Sequence, residues 1–360
     1  METSRPEFLI FGIVILITRV PFLFYGYGSE EDAWGLIVTA RQIMQTGVYE
    51  VSRLPGHPLQ EILLIPGHLL PAWVLNMFTA VVSTIGVVHF TKALKQLEIP
   101  NYLYGGIVLA FTPVFYIQST NVMDYTWALA FCLIAFHQLI NRNYFIAGLL
   151  IAFATGFRIT AAAMLIPMLY LNASLHRNQP AGKEARTLIF TTGIGSFVMF
   201  LPPLLTYGTS FFTFYQYFPY PELSRILYKG IIGVWGLPGS IIMTTTTGVL
   251  ILVMARKWST FNMQQRSLAL FCLITITLYL ISFFRIPQKS AFIIPVLPWI
   301  YFLCILFLKR RRLMILSATM IISCLFLGMN LDDPLRGSDR SDLSLGLNVN
   351  GNHVVADLLY

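Results

Sequence analysis

Apolar runs separated by short polar breaks dominate the chain. Those at 8–25, 72–91, 101–117, 122–140, 143–157, 159–172, 188–206, 231–254, 267–284, 291–308 and 313–329 each predict a membrane-crossing helix, because about 17–25 mostly apolar residues span a bilayer core. The runs at 143–157 and 159–172 are short for that task, and they also read as one bent pair that dips in and returns. The pattern predicts an all-α, polytopic protein of about eleven spans. Residues 1–330 form its membrane domain, and a polar tail at 331–360 is expected outside.

A different periodicity follows the first run. Ala33, Leu36, Ile37, Ala40, Ile43 and Met44 recur on one helical face, and Gly35, Thr39, Gln42 and Thr46 lie on the other. Asp32 extends the polar stripe by a turn, and Gly47 ends the pattern. This predicts an amphipathic helix lying on the membrane surface inside a long loop, 26–71. Ser29 followed by Asp32 resembles a capping box, and acids in a first turn suit the helix dipole. Capping alone could therefore explain why the stretch "SEED" is acidic.

Composition sharpens this picture. Of 360 residues, 56% are hydrophobic and 11% charged, which excludes an ordinary soluble domain. The net charge of +8 is spread over short clusters between apolar runs and not along one stripe, so no nucleic-acid partner is expected. "KRRR" at 309–312 anchors one side as cytoplasmic. With the N-terminus also inside, only Glu2, Glu7, Glu98 and Glu184 among the acids fall on the inner side. The acid-bearing loop 26–71 and the segment 207–230 face out. Cys132, Cys272, Cys304 and Cys324 lie in apolar runs and read as packing residues. No small-residue cleavage site follows the first run, which is taken as a retained span.

The long outer loop carries more than a cap. Its "VYEVSRLPGHPLQEILLIPG" places Arg53, His57 and Glu61 in a stretch punctuated by Pro55, Pro58 and Pro66. Neither HExxH nor a His pair at i, i+4 is present, so no zinc site is expected. An acid cluster after the first span, an amphipathic helix ending in "TGVY" and a Pro-rich turn resemble the first external loop of the GT-C glycosyltransferases. Those are integral-membrane enzymes that use polyprenyl-phosphate sugars, and the protein mannosyltransferase and aminoarabinose transferase branches are the most similar. "STNVMDYTWALAF" with Asp124, "FATGFRITAAAMLIPM" with Arg158 and "FFRIPQKSAFIIPVLP" with Arg285 and Lys289 resemble later parts of that family in the same order.

The resemblance implies sugar transfer from a polyprenyl-phosphate donor to a lipid, glycan or protein acceptor by inverting displacement. A carboxylate, Asp32 or Glu31, would accept the acceptor's proton. Asp32 is preferred because Glu31 stands about 100° away round the helix. Arg285, Lys289 and Arg158 would hold the donor phosphate. His57, Asp124 and Arg53 would contact acceptor or sugar. Arg19, near the outer end of the first span, is placed to pair with the acids. The aromatic stretch at 210–223 would meet sugar or prenyl chain. No cofactor is obligatory, although the acid cluster would admit Mg or Mn. The implied setting is a bacterial inner membrane with a periplasmic active face, the N-terminus cytoplasmic and the C-terminus external. Two other classes stay open at this point: a transporter or flippase of a lipid-linked glycan, and a non-catalytic partner in glycan assembly.

Overall fold

The computed structural model describes residues 5–24, 26–28, 30–175, 182–210, 213, 219–325, 327–329 and 343–345. Helix is found in every predicted apolar run. α1 is Arg5–Arg19, α4 Ala72–Gln96, α5 Tyr102–Ala110, α6 Pro113–Gln118, α7 Asp124–Ile140 and α8 Tyr144–Phe157. α9 is Leu165–Leu175, α10 Gly182–Met199, α11 Leu201–Tyr207, α13 Gly233–Lys257, α14 Met263–Arg285, α15 Leu297–Phe307 and α16 Arg310–Leu325. Two helices lie in the long first loop, α2 (Glu31–Thr46) and α3 (Pro58–Gly67), and a short α12 is Leu223–Leu227. In the tail, β1 (Leu327–Met329) pairs antiparallel with β2 (Leu343–Leu345).

Among the described residues, four helical stretches are individually long and apolar enough to cross a bilayer: Ala72–Gln96, Ile232–Thr260, Met263–Arg285 and Ser290–Phe307. The pair Gly182–Met199 and Leu201–Tyr207, bent by 48°, makes a fifth if taken as one span. Asp124–Ile140, Tyr144–Phe157 and Ile159–Ser174 are shorter apolar helices. Breaks explain the shortness. Pro113 starts α6 after a non-helical residue, Phe111, and Arg158 is extended between α8 and a 3-10 turn at Ile159–Met164. Arg158 therefore separates two helices that the sequence also allowed as one bent pair.

Lipid-embedded helices gain little from apolar burial against one another, so close backbone approach carries the packing. α4 crosses α7 where a Cβ on Gly86 would lie 2.7 Å from Ala130 Cα. α8 meets α10 where a Cβ on Gly148 would lie 1.8 Å from Thr191 Oγ1. A dense aromatic knot ties α7, α14 and α15 together. Phe136 stacks on Phe271 at 5.3 Å and meets Trp299 edge-on at 5.3 Å. The four cysteines are buried and unpaired, as packing residues are.

α2 keeps the predicted limits. Gly47 caps it in the left-handed conformation (φ 68°), where L-residues with a Cβ are disfavoured. Ala33, Leu36, Ile37, Ala40 and Ile43 are buried, while Met44, expected beside them, is exposed. The N-cap is Glu30, with no side-chain capping bond, and Ser29 lies outside the described residues. Glu30 and Asp32 instead meet Lys289.

Candidate active site

Five separate segments bring charge to one place. The first turn of α2 supplies Asp32, preceded by Glu30. The turn between α2 and α3 supplies Arg53 and His57. Asp124 opens α7, Arg158 occupies the break after α8, and Lys289 follows α14. The segments are joined locally. Val122 N donates to Tyr27 O at 2.9 Å, tying the start of the outer loop to the approach to α7. Gln288 Nε2 donates to Pro219 O at 2.7 Å, and Tyr220 O–H donates to Phe284 O at 3.0 Å.

The charges form an alternating chain. Lys289 Nζ donates to Glu30 Oε2 at 3.0 Å and to Asp32 Oδ2 at 2.5 Å. Arg53 Nε lies 3.5 Å from Asp32 Oδ2, and Arg53 Nη2 donates to Asp124 Oδ1. Arg158 Nη1 donates to Asp124 Oδ2 at 2.5 Å, with its guanidinium 4.2 Å from the Tyr125 ring centre. Gln118 Nε2 donates to Glu30 Oε1. The three acids are thus matched by three cations.

Burial divides the two central acids. The Asp124 side chain is 0% exposed and the Asp32 side chain 27%. Burial would raise the Asp32 carboxyl, but Arg53 and Lys289 outweigh it and hold it below the usual carboxylate range. Lys289 is pushed up: burial would lower it, and Glu30, Tyr125 and Asp32 prevail. His57 is buried, with Nδ1 2.7 Å from Phe157 O and 3.3 Å from Asp124 Oδ2. Both neighbours are acceptors, so Nδ1 carries the hydrogen. Burial, Arg53 and Arg158 push the imidazole down to about 3, against the opposing pull of Asp124.

A cavity of about 230 Å³ opens onto Asp32, Arg53, His57, Arg158 and Lys289. Tyr279, Ile286, Phe292 and Pro295 add an apolar part to its lining. A partly exposed carboxylate, three cations and a greasy wall therefore share one space. Among the described residues no group of three or more His, Cys, Asp or Glu is arranged to hold a metal ion.

The sequence-derived candidates separate in space. Asp32, Arg53, His57, Asp124, Arg158 and Lys289 converge. Glu31 does not: it is exposed, because the step of about 100° from Asp32 turns it away. Arg285 is exposed at the end of α14 and does not line the cavity. Arg19 does not pair with the acids. It is fully buried, bonded to Thr18 Oγ1 at 2.7 Å, to Ser119 Oγ at 3.3 Å and to the Ala110 carbonyl, with the Tyr116 ring 4.2 Å away. Most of the aromatic stretch at 210–223 lies outside the described residues.

Three further residues, to which the sequence pattern assigned no site role, contribute. Glu30 shares Lys289 with Asp32, and its place in the same acid cluster was the available signal. Glu61 is fully buried and accepts from Ser52 N at 2.7 Å, Ser52 Oγ at 2.8 Å and the Tyr49 hydroxyl. Lys229 is buried near Lys289 and Glu30; burial, Arg225 and Lys289 push it down. A lysine in an interfacial run carried no pattern that would have marked it.

The fold is that of the GT-C class of integral-membrane glycosyltransferases. It is similar to the crystal structure of ArnT from Cupriavidus metallidurans bound to undecaprenyl phosphate, with a TM-score of 0.53 and 11% identity over 83% of this chain. The chain spans 59% of that protein's length. Residues 75–335 match the EpsG family model, and the chain belongs to that family of GT-C-like glycosyltransferases. The loop carrying Asp32, Arg53 and His57 precedes the matched residues. No individual curated protein matches the chain in sequence.

Proposed function

We propose that this membrane protein transfers a sugar from a polyprenyl-phosphate donor to a lipid, glycan or protein acceptor by inverting displacement. The observation that carries this reading is that Asp32, a partly exposed carboxylate, shares one cavity with Lys289, Arg53 and Arg158. The anionic donor would draw Lys289 and Arg158 to its phosphate, where they stabilise the charge that grows as the phosphate leaves. Lys289 is then drawn from Asp32 and Glu30 toward the phosphate, and Asp32 accepts the acceptor's proton as the acceptor's oxygen or nitrogen attacks the anomeric carbon. The wall of Ile286, Phe292 and Pro295 takes the first isoprene units. The ArnT structure contains undecaprenyl phosphate, which supports the same class of lipid here. The cavity residues Lys289, Phe292 and Pro295 stand at the start of the apolar stretch Ser290–Phe307 and "KRRR" follows its end, so the reading puts the chemistry on the outer, periplasmic face. The phosphate charge is met by side-chain cations, and the reaction needs no metal.

The test is transfer by purified protein from polyprenyl-phosphate sugars to a panel of acceptors, with and without EDTA. Asp32→Asn should reduce transfer by about 10²–10⁴-fold, and Glu31→Gln should keep it. Full activity in Asp32→Asn would remove Asp32 as base. Lipid-linked sugar that crosses vesicles without being transferred would replace the enzyme reading with a flippase.

A further inference from the structure

The end of the bundle remote from the acid cluster holds a larger concavity. Position 137 of α7 is roughly 20 Å along the helix from Asp124, at 1.5 Å per residue. There α1, α4 and α7 border a groove of about 960 Å³. Its length is apolar, with Leu9, Ile13, Val81 and Ile85, and its end is polar, with His89 and Lys92. His89 and Lys92 stand one turn apart on α4 and so share a face.

Hydrogen-bond directions fix what the polar end offers. Gln96 Nε2 donates to Asn141 Oδ1 at 2.9 Å, so the Asn141 amide nitrogen is the end that meets His137 Nε2, at 3.3 Å. His137 Nε2 therefore accepts, and His137 carries its hydrogen on Nδ1. That Nδ1 lies 2.9 Å from His89 Nδ1 and donates to it. The hydrogen of His89 is then on Nε2, leaving an N–H donor at the groove. The neighbouring Lys95 is paired with Glu7 at 2.8 Å. Lys92 has no carboxylate within ion-pair distance among the described residues; its ammonium lies 5.6 Å from the Phe8 ring centre. An unneutralised ammonium and an oriented N–H thus close one end of an apolar channel.

We propose that this groove binds an anionic phospholipid of the leaflet opposite the acid cluster. Its phosphate would sit on Lys92 Nζ and His89 Nε2–H, and an acyl chain would lie along Leu9, Ile13 and Ile85. Charge complementarity selects an anionic headgroup, and basic pockets between helices are a recurrent form of lipid recognition. The groove is open sideways to the bilayer, with Ile13 47% exposed, so a leaflet lipid enters without passing through the protein. The proposal does not depend on sugar transfer.

The experiment is native mass spectrometry of the delipidated protein with phosphatidylglycerol and phosphatidylcholine of matched chains. Phosphatidylglycerol should bind preferentially. Lys92→Gln should weaken it roughly fivefold, the effect of about one basic side chain at a membrane surface, and leave phosphatidylcholine unchanged. Ile13→Trp, which fills the channel and leaves the polar end intact, should exclude phosphatidylglycerol. Equal uptake of the two lipids, undiminished phosphatidylglycerol binding in both variants, or its displacement by equimolar polyprenyl phosphate would each overturn the assignment.

Discussion

Lys289 Nζ stands 2.5 Å from Asp32 Oδ2 although 257 positions separate the two residues, and the same ammonium reaches Glu30. The proposed base and a proposed phosphate-binding cation therefore neutralise each other until a donor arrives. Lys289→Met should remove both effects. Asp32 loses one of the two cations that hold it down, so the acid limb of the pH–rate profile moves to higher pH. Donor turnover falls by about 10²–10³-fold, as when one charge-stabilising donor is removed from a reacting site. Donor kinetics and a limb both unchanged from wild type would take Lys289 out of the site.

Asp124 has a different task, because it is sealed from solvent between Arg53, Arg158 and His57. Asp124→Asn leaves both guanidiniums without their buried counter-charge. Breaking such a pair from one side destabilises by about 3–5 kcal/mol. The expected result is a lower apparent melting temperature in detergent and a lower yield of folded protein. Adding Arg53→Met should recover part of the loss, since one orphaned charge is removed. A wild-type melting temperature in Asp124→Asn would show that the ion network does not hold these segments together.

The hydrophobic rhythm made the helices legible, because the bilayer forces apolar side chains into long runs and backbone bonds into helix. It also placed the break at Arg158, between the runs 143–157 and 159–172, but not the one before Pro113, which divides the run 101–117 into α5 and α6, and such short pieces pack inside the bundle without reaching bilayer length. The site was legible residue by residue wherever a charge stood at the end of an apolar run, as with Asp124, Arg158 and Lys289. Choices among neighbours were harder. Arg285 and Lys289 share a turn region, yet only Lys289 lines the cavity. Glu30 and Glu31 are adjacent, yet only Glu30 turns toward Lys289. Such choices depend on how a loop end is oriented by residues 100 or more positions away. Arg19 shows the opposite error: charge alone suggested a carboxylate partner, whereas backbone carbonyls, hydroxyls and an aromatic face satisfy it.

His57 should make stability depend on pH in a defined direction. Its ordinary value is 6.5, and burial with Arg53 and Arg158 takes it to about 3 in the fold. Between those values the unfolded chain binds a proton that the folded chain refuses, so stability falls as pH drops from about 6.5 toward 3. Asn at this position can still donate to the Phe157 carbonyl but has no proton to take up. Apparent melting temperatures measured from pH 7.5 down to 4.5 should therefore fall less steeply for His57→Asn than for wild type. Parallel curves would mean that His57 titrates near its ordinary value in the fold.

Glu61 tests whether the loop bearing Arg53 and His57 must be pinned for the site to work. The buried carboxylate gathers Ser52 N–H, Ser52 O–H and the Tyr49 hydroxyl, and Val51 N donates to Tyr207 Oη at 3.3 Å beside it. Burial pushes the Glu61 carboxyl up, while these hydrogen bonds pull the other way. Its role is therefore read from shape and acceptor count and not from net charge. Glu61→Ala leaves the Ser52 N–H unsatisfied, at about 1–3 kcal/mol, and frees the turn that aims Arg53 at Asp124. Glu61→Gln keeps an oxygen for both Ser52 donors, and the Tyr49 hydroxyl can turn to accept from the amide. The alanine variant should lose transfer activity and become sensitive to protease between residues 48 and 57, and the glutamine variant should recover most of both properties. If alanine and glutamine both behave as wild type in cleavage and transfer, the turn is held by its prolines and Glu61 is a bystander. If both fail alike, the ionised carboxylate is needed, and the loop is governed by charge.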